Sequence, residues 1–115
     1  MVNDDPLSIL RRNGASGATV IELDGPVTLR NLFALQDELR STEPCGTTIL
    51  DFTKVPYMDS AGIGAIVNHF VHCQKCGCKM IAAGVNNRVL ELFKLTRVNT
   101  VIGLTASVEE AEAQA

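Results

Sequence analysis

Two segments of the chain carry side chains whose types and spacing suit chemistry. The first is PYMDSAGIGAIV, Pro56 to Val67, where the carboxylate of Asp59 and the hydroxyl of Ser60 stand together ahead of the small residues Ala61, Gly62 and Gly64. The second is HFVHCQKCGC, His69 to Cys78, which brings two imidazoles and three thiols into one short stretch. A serine that acts as a nucleophile needs a base within hydrogen-bond range. His69 and His72 follow on the same predicted helix, about 13 and 18 Å from Ser60 at 1.5 Å rise per residue. The segment also lacks the first glycine of a G-x-S-x-G elbow, and the chain has no G-x-x-x-x-G-K-[ST] loop to cradle a nucleotide phosphate. The chemistry left to Ser60 is that of a substrate: an exposed hydroxyl with small neighbours, open to another enzyme's active site and able to take a phosphoryl group.

The competing account is structural. Asp59 suits an N-cap, with Ser60 at the first helical position, and the small residues would let the helix lie close to a neighbour. Two glycines in the first turns of a helix cost roughly 1 kcal/mol each relative to alanine, so something should need the bare backbone. In the second segment His69, His72, Cys73 and Cys76 are three, four and seven residues apart, a helical stripe that suggests a metal or thiol sensor. Tetrahedral sites usually draw ligands from more than one segment, and a second pair is missing. The expectation is therefore Cys73 in the core, His69 and His72 solvated, Cys78 in the next strand, and neither metal nor cofactor. An aspartyl-phosphate receiver with Asp51 or Asp59 as acceptor is disfavoured, because Asp4 and Asp5 precede the first strand and no lysine follows Lys94.

The elements that must position these residues can be read from periodicity. Leu7 to Arg12 and Ala18 to Leu23 are strand-like runs joined by NGASG, predicting an antiparallel hairpin. Thr28 to Arg40 predicts a helix with Leu29, Leu32, Phe33, Leu35 and Leu39 mostly on one face, broken by Ser41 to Gly46. Thr47 to Phe52 predicts a buried strand, Ser60 to Cys76 a helix closed by Gly77, and Cys78 to Ala83 a further strand, which together form a parallel βαβ unit. Asn86 should cap a helix to Leu95 with Leu90 and Phe93 inward. Val101 to Leu104 reads as an edge strand, and Ser107 to Glu110 as the capping box of a last helix. The fold class is α/β, a mixed sheet with about four helices packed on it, in one domain over residues 1–115. The DSAG turn then falls beyond the carboxyl ends of the parallel strands, where open α/β sheets place their sites.

Composition limits the partners. With 46% hydrophobic and 20% charged residues among 115, the chain can bury a core without staples. A net charge of −3 with dispersed lysines and arginines, no Trp and a single Tyr argues against nucleic acid. No apolar run reaches the roughly 18 residues of a membrane span, and MVNDDPLSIL lacks the layout of an export signal. Reduced thiols in a cytoplasmic protein without membrane insertion are expected.

The run DFTKVPYMDSAGIGAI, followed by a helix, the strand KMIAA and then NNRVLELFKLTRVNTVI, resembles the STAS domain, in particular the bacterial anti-sigma factor antagonists. The likeness spans nearly the whole chain and is most specific in Y-M-D-S-x-G-x-G. The resemblance implies a non-enzymatic switch with Ser60 as phosphoacceptor. The partner would be an anti-sigma factor that is also an ATP-dependent serine kinase. The unphosphorylated protein would bind it and release the sigma factor, and a PP2C-type phosphatase would reverse the modification. The expected partner-binding rim is Thr28, Asp59, Ser60, Ala61, Gly62 and Gly64. Two positions depart from the family pattern. Ala61 stands where Ser or Thr is frequent, and Gly25-Pro26-Val27-Thr28 replaces the frequent G-E-L-D, so that Thr28 takes the place of an acid. The alternative is a STAS scaffold or transport-complex subunit that binds partners through the same surface without a phospho-switch.

Overall fold

The computed structural model describes residues 7–14, 17–41 and 46–114. The predicted Leu7 to Arg12 and Ala18 to Leu23 pair appears as strands β1 (Ser8–Asn13) and β2 (Thr19–Asp24), antiparallel in register from Ser8 opposite Asp24 to Asn13 opposite Thr19. Residues 15–16 of the NGASG loop and residues 42–45 of the break after the first helix lie outside the described residues, as do Asp4 and Asp5. The remaining elements are a 3₁₀ turn (Leu29–Asn31), α1 (Leu32–Ser41), β3 (Thr47–Lys54), α2 (Ser60–Lys75), β4 (Lys79–Ala83), α3 (Asn87–Leu95), a second 3₁₀ turn (Val98–Thr100), β5 (Gly103–Thr105) and α4 (Val108–Gln114).

The sheet runs in the order β1-β2-β3-β4-β5, with β2 to β5 parallel. Each helical crossover moves one strand along in the same direction, and right-handed crossovers of that kind put their helices on one face. Strand alternation agrees with this. Ile21, Leu23, Leu50, Phe52, Met80 and Ala82 face the main core with Leu35 and Leu39 of α1, Ile63 and Ile66 of α2, and Val89 and Phe93 of α3. Phe52 and Phe93 meet edge to face with centroids 5.9 Å apart. The residues between them on the strands, Val20, Ile49, Ile81 and Ala83, form a smaller cluster with Val108 and Ala111 of α4.

Several expectations change in detail. Leu29 and Phe33 are 66% and 77% exposed, whereas Leu35 and Leu39 are buried. At 100° per residue Phe33 sits about 160° around the helix from Leu35, so α1 has one apolar stripe in the core and a second, short one in solvent. In α3 the buried residues are Val89 and Phe93, with Leu90 only half-buried. The last strand starts at Gly103 because Arg97, at φ 61°, ends the α3 region and opens a 3₁₀ turn; Val101 follows that turn, 55% exposed. The last helix carries its capping box: Ser107 Oγ accepts from the Glu110 amide at 3.2 Å, while the Glu110 carboxylate reaches back to the Ala106 amide at 3.0 Å.

Candidate functional site

The loops that lead into α1 and α2 are joined before either helix begins. Val27 and Met58 form a parallel bridge. Within it the Val27 amide donates to the Tyr57 carbonyl at 3.1 Å, and the Asp59 amide donates to the Val27 carbonyl at 3.2 Å. Asn86 braces the same loop from the other side. Its amide nitrogen donates to the carbonyls of Val55 and Pro56 at 3.1 and 3.2 Å, while its oxygen caps α3 through the Val89 amide at 2.9 Å. Arg88 lies 5.3 Å from the centre of the Tyr57 ring, a cation–π contact on this loop. Beside the loop, a cleft of about 520 Å³ opens at the carboxyl ends of β2 and β3, with Lys54 and Asn86 among its lining residues.

Asp59 ties the two helix starts together. In extended backbone ahead of α2, it accepts from the Gly62 amide through Oδ1 at 3.0 Å, a normal N-cap bond, and through Oδ2 from the Leu29 amide at 3.0 Å. Both carboxylate oxygens are therefore engaged, one on each helical segment. Ser60 follows as the first residue of α2 and is exposed. Its position at the start of α2 gives an electropositive setting for an anion.

The small residues divide into two kinds. A Cβ on Gly62 would lie 2.8 Å from Val27 Cγ1 and closer still to the Val27 carbonyl oxygen, so Gly62 is what lets α2 approach that backbone. Gly62 is consequently buried and is not part of the exposed rim that the sequence suggests for it. Gly64 is exposed, and a Cβ there would meet nothing within 4 Å. Among the described residues no contact explains its lack of a side chain. Ala61 is half-buried, and so is Thr28, whose side chain makes no cap bond to the turn it precedes. Sequence reasoning missed one neighbour of this site, Leu29, and the exposure of Phe33 four residues on. Leu29, in the 3₁₀ turn, is held through its amide by Asp59, and Phe33, in the first turn of α1, is likewise exposed. Their spacing of four residues is the available signal, and it fits a core face equally well.

The Cys/His segment behaves differently from expectation at His69. That imidazole is buried, with Nε2 3.5 Å from Cys73 Sγ, whereas His72 is exposed. Burial, and then the neighbouring His72, push the His69 pKa below its ordinary value. Burial, followed by the nearby Cys78 and Cys76 thiols, pushes the Cys73 thiol up. Cys76 is exposed, and Cys78 precedes β4. The helix ends in a Schellman arrangement, with the Cys78 amide on the Cys73 carbonyl at 2.8 Å and Gly77 at φ 74°. Among the described residues no group of three or more His, Cys, Asp or Glu side chains is arranged to hold a metal, and no helix is long and apolar enough to cross a membrane. Neither histidine reaches Ser60, because His69 is buried nine residues along α2 and pairs with a thiol instead.

Comparison with known proteins adds to this geometry. The chain is 32% identical over 53 residues to the anti-sigma-B factor antagonist of Listeria monocytogenes, a match that covers 46% of each chain. This match spans less than half of that relative's length. A putative anti-sigma factor antagonist from Thermotoga maritima superposes with a TM-score of 0.82 at 17% identity, over 92% of both chains. The phosphorylated form of the Bacillus cell fate determinant SpoIIAA superposes with a TM-score of 0.73 at 16% identity, over 93% of this chain and 98% of that one. At these identities the structural likeness shows a shared fold. The STAS domain family model matches residues 10–111, and the chain belongs to the STAS domain family.

Proposed function

We propose that the protein is an anti-sigma factor antagonist that works by phosphorylation-switched binding. It is a cytoplasmic binding protein, not an enzyme, and Ser60 is a substrate site. Unphosphorylated, it docks the rim formed by Thr28, Leu29, Phe33, Asp59, Ser60, Ala61 and Gly64 on an anti-sigma factor that is also a serine kinase, and the sigma factor is released. In the kinase's site the Ser60 oxygen takes the γ-phosphoryl group of ATP. The bond to ADP breaks and the hydroxyl proton is lost. A PP2C-type phosphatase hydrolyses the ester and restores the serine.

The observation that carries this reading is the exposed Ser60 hydroxyl at the first position of α2, beside an Asp59 whose two oxygens are already committed to backbone amides. A phosphate there adds about −1.5 to −2 charges, which the helix start accommodates. The fold is therefore retained in both states. A partner covering the rim would instead have to bury that charge next to a fixed carboxylate, and a penalty of about 3 kcal/mol lowers affinity roughly a hundredfold. Gly64 and the exposed Leu29 and Phe33 supply the rest of a docking surface: bare helix backbone for close approach and apolar side chains that the fold leaves uncovered. This is consistent with the name of the Listeria relative, an anti-sigma-B factor antagonist.

The test is to recover the bound partner from the native host and incubate it with ATP and the protein. Wild type should gain one phosphate and lose affinity, Ser60→Ala should bind without gaining label, and Ser60→Asp should bind poorly while staying folded. Label that persists on Ser60→Ala would refute the assignment. Equal affinity before and after phosphorylation would favour a constitutive scaffold.

A further inference from the structure

Where α2 gives way to β4, the thiols of Cys73, Cys76 and Cys78 crowd together, and the phosphoacceptor site uses none of them. The helix closes in a full Schellman turn. The Cys78 amide donates to the Cys73 carbonyl at 2.8 Å and the Gly77 amide to the Gln74 carbonyl at 3.1 Å, with Gly77 at φ 74°. In that motif the residue after the glycine folds back on the last turn, and its side chain meets that of the residue whose carbonyl it caps. Cys78 and Cys73 hold those two places. Their hydrogen bond also bounds their separation: with the N–Cα bond and the span from carbonyl oxygen to Cα added, the two Cα atoms stand at most about 6.7 Å apart. A disulfide bridges Cα atoms roughly 4.4 to 6.8 Å apart.

The surroundings give the two sulfurs different parts. Cys73 is fully buried, with Sγ 3.5 Å from His69 Nε2. Cys78 is half-buried, and its Sγ donates to the Cys76 carbonyl at 3.6 Å. An agent in solution therefore meets Cys78 before Cys73. Cys73 can attack only what is carried by an adjoining residue, and His69 Nε2 stands where the proton of an attacking thiol would go. Of the two outer thiols, Cys78 raises the Cys73 pKa more than Cys76 does, in keeping with its closer approach.

We propose that Cys73 and Cys78 form a disulfide-exchange site that is oxidised by a low-molecular-weight disulfide, R–S–S–R. The Cys78 thiolate attacks one sulfur; the S–S bond breaks, and the first R–S⁻ leaves and takes up a proton. Cys73 then gives its proton to His69 Nε2 and attacks Cys78 Sγ. The mixed disulfide breaks, and the second R–S⁻ leaves and recovers that proton through solvent. The two cysteines lose two electrons and two protons, and R–S–S–R is reduced to two R–SH. The new bond fastens the last turn of α2 to the residue that precedes β4.

Glutathione disulfide is the probe, added to the reduced full chain under native conditions and followed by acid quench, alkylation and mass spectrometry of the unreduced peptides. The expected product is a Cys73–Cys78 bond, formed at the same rate by Cys76→Ser and by Cys45→Ser. Cys73→Ser should stop at a glutathione adduct on Cys78; if that variant does not fold, the wild-type product still decides the assignment. His69→Gln should reach the same product at least tenfold more slowly, as loss of a proton acceptor requires. Ser60→Ala should change nothing, so the outcome is independent of the phospho-switch. The proposal is overturned if the wild-type chain takes up no glutathione or retains it. It is equally overturned if the mapped bond joins Cys76 to Cys78 or involves Cys45, or if the Cys73–Cys78 bond forms only in urea.

Discussion

Gly62→Ala and Gly64→Ala are the same chemical change two residues apart on one helix, and their surroundings give them opposite signs. Both replacements gain up to about 1 kcal/mol of helix propensity. At Gly64 nothing stands within 4 Å of the new Cβ, so the gain is kept and the melting temperature should rise by about 4 °C for a domain of this size. At Gly62 the new methyl lies 2.8 Å from Val27 Cγ1 and 3.1 Å from the Val27 carbonyl carbon, and presses hardest on the carbonyl oxygen. That oxygen already accepts from the Asp59 amide at 3.2 Å, so it cannot retreat without opening the bridge between the two loops. Overpacking of this kind costs about 1 to 3 kcal/mol or more, and because the carbonyl is pinned the upper end applies; less the propensity gain, about 2 kcal/mol is lost and the melting temperature should fall by roughly 8 °C. Thermal unfolding followed by circular dichroism measures both variants. Equal stabilisation by the two would refute the close approach of α2 to Val27. A binding assay completes the pair: Gly64→Phe should keep the fold and weaken the partner complex at least tenfold, because bulk is added to the docking surface alone.

Further outcomes follow from single residues. Asp59→Ala removes acceptors from the Gly62 and Leu29 amides and should cost about 1 to 2 kcal/mol in urea unfolding, with Asp59→Asn losing less because one oxygen remains. Asn86→Ala should cost a similar roughly 1 to 2 kcal/mol, through the α3 cap and the two bonds that brace the loop before Ser60. His69 has a folded pKa below its ordinary 6.5, so the unfolded chain binds the extra proton first. Its contribution is complete above that value and is lost as pH falls from about 6.5 toward the folded pKa; His69→Gln should flatten the difference between urea midpoints measured on either side of that range. Alkylation of the native protein should label Cys76 readily and leave Cys73 protected until the chain unfolds, which peptide mapping of the modified thiols will show.

Much of the frame was legible because it is local. The hairpin, the strand over Thr47 to Phe52, the helix that starts at Ser60, and the Asn86 and Ser107 caps all depend on periodicity and on side chains a few residues apart. The errors arose where two stripes compete on one helix or where burial comes from a distant element. Leu29 and Phe33 fit a core-face spacing, yet both are exposed: Phe33 lies about 160° around α1 from Leu35, and Leu29 sits in the 3₁₀ turn ahead of the helix. The expectation of a solvated His69 fails because the approach of α1 to α2 that buries it is a tertiary fact. Gly62 and Gly64 look alike in sequence, and only the Val27 backbone distinguishes them.

By itself the sequence determined the order of the elements, the STAS resemblance and the choice of Ser60, since a motif and a periodicity are properties of neighbouring residues. The tertiary structure alone decided that Asp59 spans two helical segments, that Val27 leaves room only for a glycine, and that the exposed Leu29 is held by the carboxylate next to Ser60. Those facts depend on contacts between segments some 30 residues apart. No local pattern encodes which of two equivalent faces the assembled sheet will cover.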